Sequence, residues 1–394
     1  MMQISPEIQL FIREHSSDDV RVLALQAKKY PDIDMPTVIT QIAGRKVAAE
    51  KIPSWWEIEK IWYPKHLEQC SSEITARYKA RLLQGDSLTD LTGGFGIDCS
   101  FLATGFKSAT YVERQEELCE IAAHNFPVLN LNHINIKNED GVTYLQAMSP
   151  VDCLFLDPAR RNEHGGKTVA ISDCEPNVAE LEELLLQKAN RVMIKLSPML
   201  DLSLALKELK QTQEVHILSV NNECKELLIL LGQTSPAEIS IHCVNLFTKG
   251  TQKEQHFVFT REQEQCSECT YTDSLETYLY EPNASLLKAG AFRSIAAAYP
   301  VRKLHPNSHL YTSDTFIENF PGRIFRIVNQ CSFNKKEVKE NLADLKKANV
   351  TVRNFPATVA ELRKRIHLAE GGDTYLFAST LNNGQKVLIR CEKV

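Results

Sequence analysis

The fold class of this 394-residue chain is indicated most clearly by one glycine-rich stretch, Leu88-Thr89-Asp90-Leu91-Thr92-Gly93-Gly94-Phe95-Gly96-Ile97-Asp98. It begins as a short apolar strand, passes through a glycine-rich turn and then opens a helix. Glycines there let the backbone turn tightly and approach a ligand, whose polar groups meet the free N–H groups of the helix. A dinucleotide-binding fingerprint requires G-x-G-x-x-G, but Cys99 stands where the third glycine belongs. The loop therefore predicts a ligand site, with a tight structural turn as the alternative.

From this loop onward, strand-like segments alternate with helical ones. The predicted strands cover residues 87–91, 109–113, 134–137, 151–157, 191–196, 215–220 and 226–231. Several are apolar throughout, as strands covered on both faces are, and the alternation predicts a doubly wound α/β sheet of mostly parallel strands. Only residues 221–225 separate the last two strands, too few for a helical crossover, so the final strand is expected to be antiparallel.

The remaining sequence predicts three further regions. Residues 1–80 predict an N-terminal helical domain ahead of the sheet domain at 81–235, with a helix over 69–83 leading into the first strand. Residues 236–321 predict a small α+β module, ferredoxin-like as one option, with an Ala-rich helix near 283–298. Residues 322–394 predict a second α+β module, which is basic because it holds 14 lysines and arginines against seven acids.

Composition excludes several classes of protein. Hydrophobic residues make up 43% of the chain and charged residues 24%, which argues against disordered and fibrous proteins. The longest apolar stretch, 227–231, is far shorter than the roughly 18 residues of a membrane span, and no apolar signal segment opens the chain. The 11 cysteines lie mostly in apolar runs and are interpreted as reduced core thiols. We therefore expect a cytoplasmic protein without a membrane partner.

Four acidic residues follow four consecutive predicted strands: Asp90, Glu113, Asp140 and Asp157. Glu113 comes 23 residues after Asp90, close to the offset of about 20 for an acid that binds ribose hydroxyls. Because the carboxyl ends of the strands in an open α/β sheet face one crevice, these acids are expected to share a site. Helix capping is the alternative for each of them alone.

These motifs resemble the successive motifs of class I S-adenosylmethionine (SAM)-dependent methyltransferases over about residues 66–235. Within that superfamily the chain is similar to RNA methyltransferases that modify exocyclic amines of guanine. The similarity rests on Gln69-Cys70-Ser71-Ser72, on His124-Asn125 and on Asp157-Pro158-Ala159-Arg160. The whole layout, with Lys195-Leu196-Ser197-Pro198 and Tyr280-Glu281-Pro282-Asn283, resembles bacterial methyltransferase-like proteins that carry a C-terminal THUMP-like domain.

The resemblance implies SAM as the cofactor and a role for each matching residue. Asp90 and the glycines would cradle the methionine part of SAM, Glu113 would bind the ribose and Asp140 the adenine amino group. The helix from Gln69 would lie over the methionine carboxylate. The full set of expected cofactor-binding residues is Gln69, Ser71, Ser72, Asp90, Thr92, Gly93, Gly94, Phe95, Gly96, Glu113, Arg114, Asp140 and Gly141.

Asp157, Pro158 and Arg160 are the expected catalytic residues. Methyl transfer is an in-line displacement, so the protein mainly positions the nucleophile. The Asp157 carboxylate and the Pro158 carbonyl would accept hydrogen bonds from the target amine and align its lone pair. Related amine methyltransferases usually have Asp/Asn-Pro-Pro followed by an aromatic residue that stacks on the base, whereas a guanidinium from Arg160 could stack here. The expected substrate-binding residues are Arg161, Lys167, Lys195 and Ser197.

The charge of residues 322–394 indicates a polyanionic partner, with a solvated basic surface as the alternative. THUMP domains are associated with RNA binding, so RNA, either tRNA or rRNA, is the expected partner. Three rivals stay open: an NAD-linked oxidoreductase, a methyltransferase of small molecules or proteins, and a non-catalytic protein that binds SAM and RNA. No metal is expected, because Cys266-x-x-Cys269 has no second pair near it. The sequence predicts no oligomeric state.

Overall fold

The helices and strands follow the predicted order in the computed structural model, which describes residues 5–160, 170–234 and 236–394. The chain divides into two units. Unit 1 comprises Met1–Glu214 and Glu226–Pro236, and unit 2 comprises Val215–Lys225 and Ala237–Val394. Within the described residues, no helix is both long and apolar enough to cross a membrane. The cysteines are free thiols in the structure, most of them are buried, and Cys266 is exposed.

Unit 1 begins with helices. They are α1 (Pro6–Glu14), α2 (Val20–Leu25), α3 (Met35–Lys51), α4 (Pro53–Trp56) and α5 (Glu73–Ala80). The side chains of Ser5 and Asp34 cap α1 and α3, and each of these helices has a proline in its first turn. Phe11, Leu23 and Val38 belong to the apolar cluster that packs these helices together.

The helix predicted over 69–83 is shorter than expected. A 3₁₀ turn at Leu67–Gln69 is followed by extended backbone at Cys70 and Ser72, and α5 begins only at Glu73. The reason is that serine side chains next to a helix start compete for its polar groups. Ser71 Oγ donates to Asp98 Oδ2 (2.7 Å), so this residue bonds across to the sheet domain instead of continuing a helix.

The sheet domain follows. Its strands are β1 (Ser87–Asp90), β2 (Ser108–Glu113), β3 (Ile134–Asn138), β4 (Val151–Leu156), β5 (Ala159–Arg160), β6 (Cys174–Glu175), β7 (Ala189–Leu196), β8 (Thr212–Val220) and β9 (Glu223–Gly232). The helices between them are α6 (Ile97–Leu102), α7 (Glu116–Val128), α8 (Gly141–Ala147), α9 (Val178–Lys188) and α10 (Leu202–Glu208).

Within unit 1 the strand order is β9-β7-β4-β1-β2-β3. The pairs from β7 to β3 are parallel, and β9 is antiparallel to β7. This arrangement confirms the predicted fold class, a mostly parallel sheet with an antiparallel last strand. The strand order reverses at β1, which has β4 on one side and β2 on the other, and ligands bind at such a reversal.

Unit 2 contains the later strands and helices. The strands are β10 (Ser240–Leu246), β11 (Glu254–Phe259), β12 (Tyr278–Pro282), β13 (Arg302–Lys303), β14 (Tyr311–Ser313), β15 (Gly322–Ser332), β16 (Asn349–Val352), β17 (Thr374–Thr380) and β18 (Lys386–Lys393). The helices are α11 (Arg261–Cys266), α12 (Ala284–Ala289), α13 (Ser294–Ala298), α14 (Lys335–Leu342) and α15 (Val359–Ile366).

One seven-stranded sheet runs through the two regions predicted as separate modules. Its order is β13-β14-β12-β15-β18-β17-β16, and β12 pairs antiparallel with β15. The buried Glu281 on β12 forms ion pairs with Arg323 on β15 and with Arg353 (2.9 Å). The predicted modules 236–321 and 322–394 therefore share backbone hydrogen bonds and an ionic contact with a buried carboxylate.

The single Ala-rich helix predicted over 283–298 is wrong. The structure has two short helices there, α12 and α13. Gly290 follows α12 in the left-handed conformation, with φ of 78°, and its N–H donates to Leu286 O. Glycine in this conformation ends a helix by satisfying its last carbonyl groups.

A buried cation joins three elements of unit 1. Lys79 on α5 has a fully buried side chain, and its Nζ lies 2.8 Å from Asp98 Oδ1 on α6 and 2.7 Å from Glu226 Oε2 on β9. Removing one partner of a buried ion pair leaves an uncompensated charge away from water, which is strongly destabilising. Lys79 therefore holds α5 against the sheet domain.

We expect Lys79→Met to lower the free energy of unfolding by about 3–5 kcal/mol, because the buried Glu226 would lose its cation and Asp98 would keep only Lys195. Urea denaturation followed by circular dichroism measures the change. The control is Lys107→Met, since Lys107 has a side chain 79% exposed and pairs with Asp86 at the surface. It should leave the free energy of unfolding nearly unchanged, because exposed ion pairs contribute little to stability. Equal losses in the two variants would contradict the assigned role of Lys79.

Candidate active site

A cavity of about 620 Å³ opens beyond the carboxyl ends of the central strands of unit 1. The four predicted strand-end acids, Asp90, Glu113, Asp140 and Asp157, all line it. The reversal of strand order at β1 creates this crevice, because the connections from β1 and β4 leave the sheet on opposite sides. The topology thus brings together four acids, the first and last of which lie 67 positions apart in the sequence.

Most of the predicted cofactor-binding residues line the cavity. They are Gln69, Ser71, Asp90, Thr92, Gly93, Gly94, Phe95, Glu113, Arg114, Asp140 and Gly141, whereas Ser72 and Gly96 do not line it. Among the predicted catalytic and substrate-binding residues, Asp157 and Lys195 line the cavity, and Pro158 and Ser197 do not. Arg161 and Lys167 lie outside the described residues. The backbone of Arg160 pairs with Cys174 in the short ladder of β5 and β6.

The glycine loop is held close to β2. Gly93 N–H donates to Val112 O (2.8 Å), and the Tyr111 hydroxyl donates to Gly94 O (2.6 Å). A Cβ atom at position 93 would lie 2.3 Å from the Tyr111 ring, so a larger residue does not fit there. Gly96, at φ of 77°, caps α6 in the left-handed region. The backbone N–H groups at the start of α6 therefore lie beside the cavity.

Asp90 presents an unused acceptor to the cavity. Its side chain is fully buried, and Oδ1 accepts a hydrogen bond from Thr92 N–H (3.0 Å). Oδ2 is buried and has no hydrogen-bond partner among the described residues. Burial raises the pKa of this carboxyl to about 8. A buried acceptor without a donor is costly, so the position suits a ligand that brings a donor or a positive charge.

Glu113 is fixed by two backbone groups. Its Oε2 accepts from Gly94 N–H (2.9 Å), and its Oε1 accepts from Gln115 N–H (2.8 Å). A carboxylate oxygen has two lone pairs, so each oxygen can take a further donor from a ligand. The carboxylate thereby ties the glycine loop to the turn after β2 and keeps acceptor capacity for ribose hydroxyls.

Asp140 caps a helix. Its Oδ1 accepts from Val142 N–H (3.1 Å) and Thr143 N–H (3.0 Å) at the start of α8. Asp140 is thus a helix-capping residue, which the sequence analysis gave as the alternative role for each of the four acids. Because the contacts of α8 use Oδ1, the Oδ2 atom of this exposed side chain can still accept from a ligand amine.

Lys195 contacts three residues that line the cavity: Asp157, Asp98 and Ser71. Its Nζ lies 2.5 Å from Asp157 Oδ2 and 3.2 Å from Asp98 Oδ2, and it donates to Ser71 Oγ (3.0 Å). Burial alone would lower the pKa of this lysine, but the carboxylates of Asp157 and Asp98 raise it well above its usual value. Lys195 is therefore a cation held among carboxylates.

A short chain of hydrogen bonds links the first and fourth strands. Asp157 N–H donates to Thr92 Oγ1 (2.6 Å), and Thr92 N–H in turn donates to Asp90 Oδ1. Thr92 thus sets the distance between the buried acid at the glycine loop and the acid expected at the substrate.

The sequence analysis overlooked Asp98, Lys79 and Glu226. Asp98 closes the quoted glycine stretch, where an acid in the first turn of a helix is ordinarily explained by the helix dipole. Burial alone would raise its pKa, yet Lys79 and Lys195 hold the pKa of Asp98 below the ordinary value. The partners Lys79 and Glu226 are 147 positions apart, and no local pattern connects them.

Comparison with known proteins places these features in a family. A family model described as a ferredoxin-like domain matches residues 278–321, and one described as THUMP domain-like matches residues 322–393. No curated protein matches the chain. Two bacterial structures, an rRNA methylase from Streptococcus thermophilus (15% identity, TM-score 0.30) and SMU.1697c of Streptococcus mutans with SAH (13% identity, TM-score 0.30), cover 40% and 41% of this chain and 93% and 96% of their own.

A crystal structure of a "putative methyltransferase" from Porphyromonas gingivalis W83 is far more similar. It shares 34% sequence identity with this chain, covers 98% of both chains and superposes with a TM-score of 0.87. Because 98% of each chain is covered, the match includes both units described above. The chain belongs to the same family as this protein, the class I SAM-dependent methyltransferase-like proteins with a THUMP-like domain at the C-terminus.

Proposed function

We propose that the chain is a SAM-dependent methyltransferase that methylates an exocyclic amine of a base in RNA, with guanine as the first candidate. The observation that supports this most is the cavity at the reversal of strand order, which four strand-end acids line together. Membership in a methyltransferase family supports the reaction type. The THUMP-like region supports RNA as the class of substrate.

The residues around the cavity fit SAM. Oδ2 of Asp90 is a buried acceptor with no donor among the described residues, and position 93 has no room for a side chain. Asp90 and the loop N–H groups would hold the methionine part, Glu113 the ribose and Asp140 the adenine amino group. When bound, SAM supplies a methyl group on a positively charged sulfur.

In this proposal, Asp157 orients the methyl acceptor. Its side chain is 41% exposed at the cavity, and its backbone is fixed by Thr92. An amine bonded to conjugated carbons is a weak nucleophile, so accepting its N–H groups turns the lone pair toward the methyl group. Asp157 Oδ2 and the Pro158 carbonyl would do this, with Arg160 stacked on the base. The proton can leave to water after transfer, so no strong base is required.

The proposed RNA surface consists of exposed cations on two helices of unit 2. They are Lys335, Lys336 and Lys339 on α14, and Lys364 and Arg365 on α15. The guanidinium of Arg365 lies 4.0 Å over the Phe333 ring. Clustered, exposed cations of this kind contact phosphates and give binding that depends steeply on salt.

Asp90→Ala should abolish binding of S-adenosylhomocysteine, because it removes the buried acceptor and the anchor of Thr92 N–H. Asp157→Ala should retain that binding and lose methyl transfer. Calorimetric titration, with NAD as the negative control ligand, and transfer of labelled methyl groups to RNA from a strain without the protein measure the two effects. Equal loss of binding in both variants would refute this division of roles, and binding of NAD alone would favour the oxidoreductase.

Replacing the five cations of α14 and α15 with glutamate should weaken RNA affinity and flatten its dependence on salt. The slope of log K against log[salt] should fall by about 0.7–0.9 for each phosphate that the variant no longer neutralises. Substitution is preferable to deletion of 322–394, because deletion would strip β15 from β12. The control changes five exposed lysines of unit 1 in the same way: Lys28, Lys29, Lys60, Lys65 and Lys107. An unchanged slope in the variant of α14 and α15 would contradict the proposed RNA surface.

A further inference from the structure

All three N–H bonds of Lys195 are engaged in the structure. A lysine ammonium has three donors, and three acceptors surround this one: Asp157 Oδ2 at 2.5 Å, Ser71 Oγ at 3.0 Å and Asp98 Oδ2 at 3.2 Å. A ligand carboxylate that enters the Ser71 end of the cavity can therefore bind this cation only by displacing one of the three.

Of its two carboxylate partners, Lys195 can give up Asp157 more readily than Asp98. Ser71 Oγ is fixed independently of Lys195, because it also donates to Asp98 Oδ2 (2.7 Å) and accepts from Lys79 Nζ (3.0 Å). Asp98 is also held by Lys79 (2.8 Å) and by Ser71 (2.7 Å), and its side chain is only 10% exposed. Asp157 forms no second ion pair among the described residues, and its side chain is 41% exposed, so water can take the place of Lys195 there. A partly exposed carboxylate loses less than a buried one when its cation leaves, because water can solvate it.

The charges around Lys195 also suit the cofactor. Lys79 and Lys195 face the three carboxylates of Asp98, Glu226 and Asp157, so the ionised cluster carries one net negative charge. SAM carries one net positive charge, since its sulfonium and ammonium outweigh its carboxylate. Binding would therefore neutralise the cluster without requiring a proton.

We propose that Lys195 is a positioning residue that is shared between Asp157 and the methionine carboxylate of the cofactor. Without cofactor, Lys195 donates to Asp157 Oδ2, so that oxygen is not available to the target amine. With the carboxylate in place, Nζ turns to it and releases Asp157 Oδ2 as an acceptor for the amine. The site thereby becomes competent for substrate only after it has bound cofactor. This inference rests on the proposed function, because it assumes SAM in this cavity.

The test compares two ligands that differ in the part Lys195 would contact. S-adenosylhomocysteine carries the amino-acid carboxylate, whereas 5′-methylthioadenosine shares the nucleoside and the sulfur and lacks the amino acid. Calorimetric titration of the full-length protein with each ligand gives the contribution of the amino-acid part. Lys107→Met is the control for removal of a lysine at the surface of the same unit.

Lys195→Met should weaken S-adenosylhomocysteine binding roughly 10- to 100-fold, as expected for loss of a charged hydrogen bond, and change 5′-methylthioadenosine binding less than about twofold. Asp157→Asn should tighten S-adenosylhomocysteine binding about two- to fivefold, because it removes the competitor for Lys195. The second variant removes a partly exposed carboxylate, so it tests the inference even if Lys195→Met does not fold.

Equal weakening of both ligands by Lys195→Met would overturn the inference, since it would show general damage to the cavity. Unchanged or weaker S-adenosylhomocysteine binding in Asp157→Asn would overturn it as well, because no competition would then exist. In both cases the proposed function would stand, as the wild type still binds. Failure of the wild type to bind S-adenosylhomocysteine would instead overturn the proposed function, and the inference with it.

Discussion

The burial of one ammonium group, that of Lys79, constrains unit 1 more than any other contact described above. Its two carboxylate partners come from α6 and β9, so the N-terminal helices, the glycine-loop helix and the antiparallel strand meet at one charge. A charge away from water is stable only with its partners in place. The position of Asp98 follows from this, and with it the position of Lys195 and the shape of the cavity at Ser71.

The site also depends on backbone geometry that extends from strand to strand. Thr92 joins Asp90 to Asp157, and Glu113 joins the glycine loop to the turn after β2. Each of these side chains bonds to the main chain of a neighbouring connection, so the acids are held by the sheet and not by flexible contacts. The carboxylates of Asp90 and Glu113, held in this way, need little reorganisation when a ligand binds, and such preorganisation favours catalysis by positioning.

Much of this could be predicted from the sequence, because apolar runs and glycines are local signals. The strands of the parallel sheet, the antiparallel β9 and the glycine loop all follow from short patterns. Two helices were predicted too long, where Gly290 and the serines before Glu73 end or delay a helix. The ion pairs of Lys79 with Asp98 and Glu226 were overlooked, since Lys79 and Glu226 lie 147 positions apart. Likewise, only the structure shows that Lys195 forms ion pairs with both Asp98 and Asp157.

The sheet of unit 2 has a consequence for how this family can change over evolutionary time. The ferredoxin-like and THUMP-like regions meet at Gly322, where β15 begins and pairs with β12. A Cβ atom at this glycine would lie 2.1 Å from the carbonyl oxygen of Glu281, so the junction admits no side chain. Separating the two regions would break the backbone hydrogen bonds between β12 and β15 and leave both strands with an unpaired edge, so we expect the two regions to be inherited together.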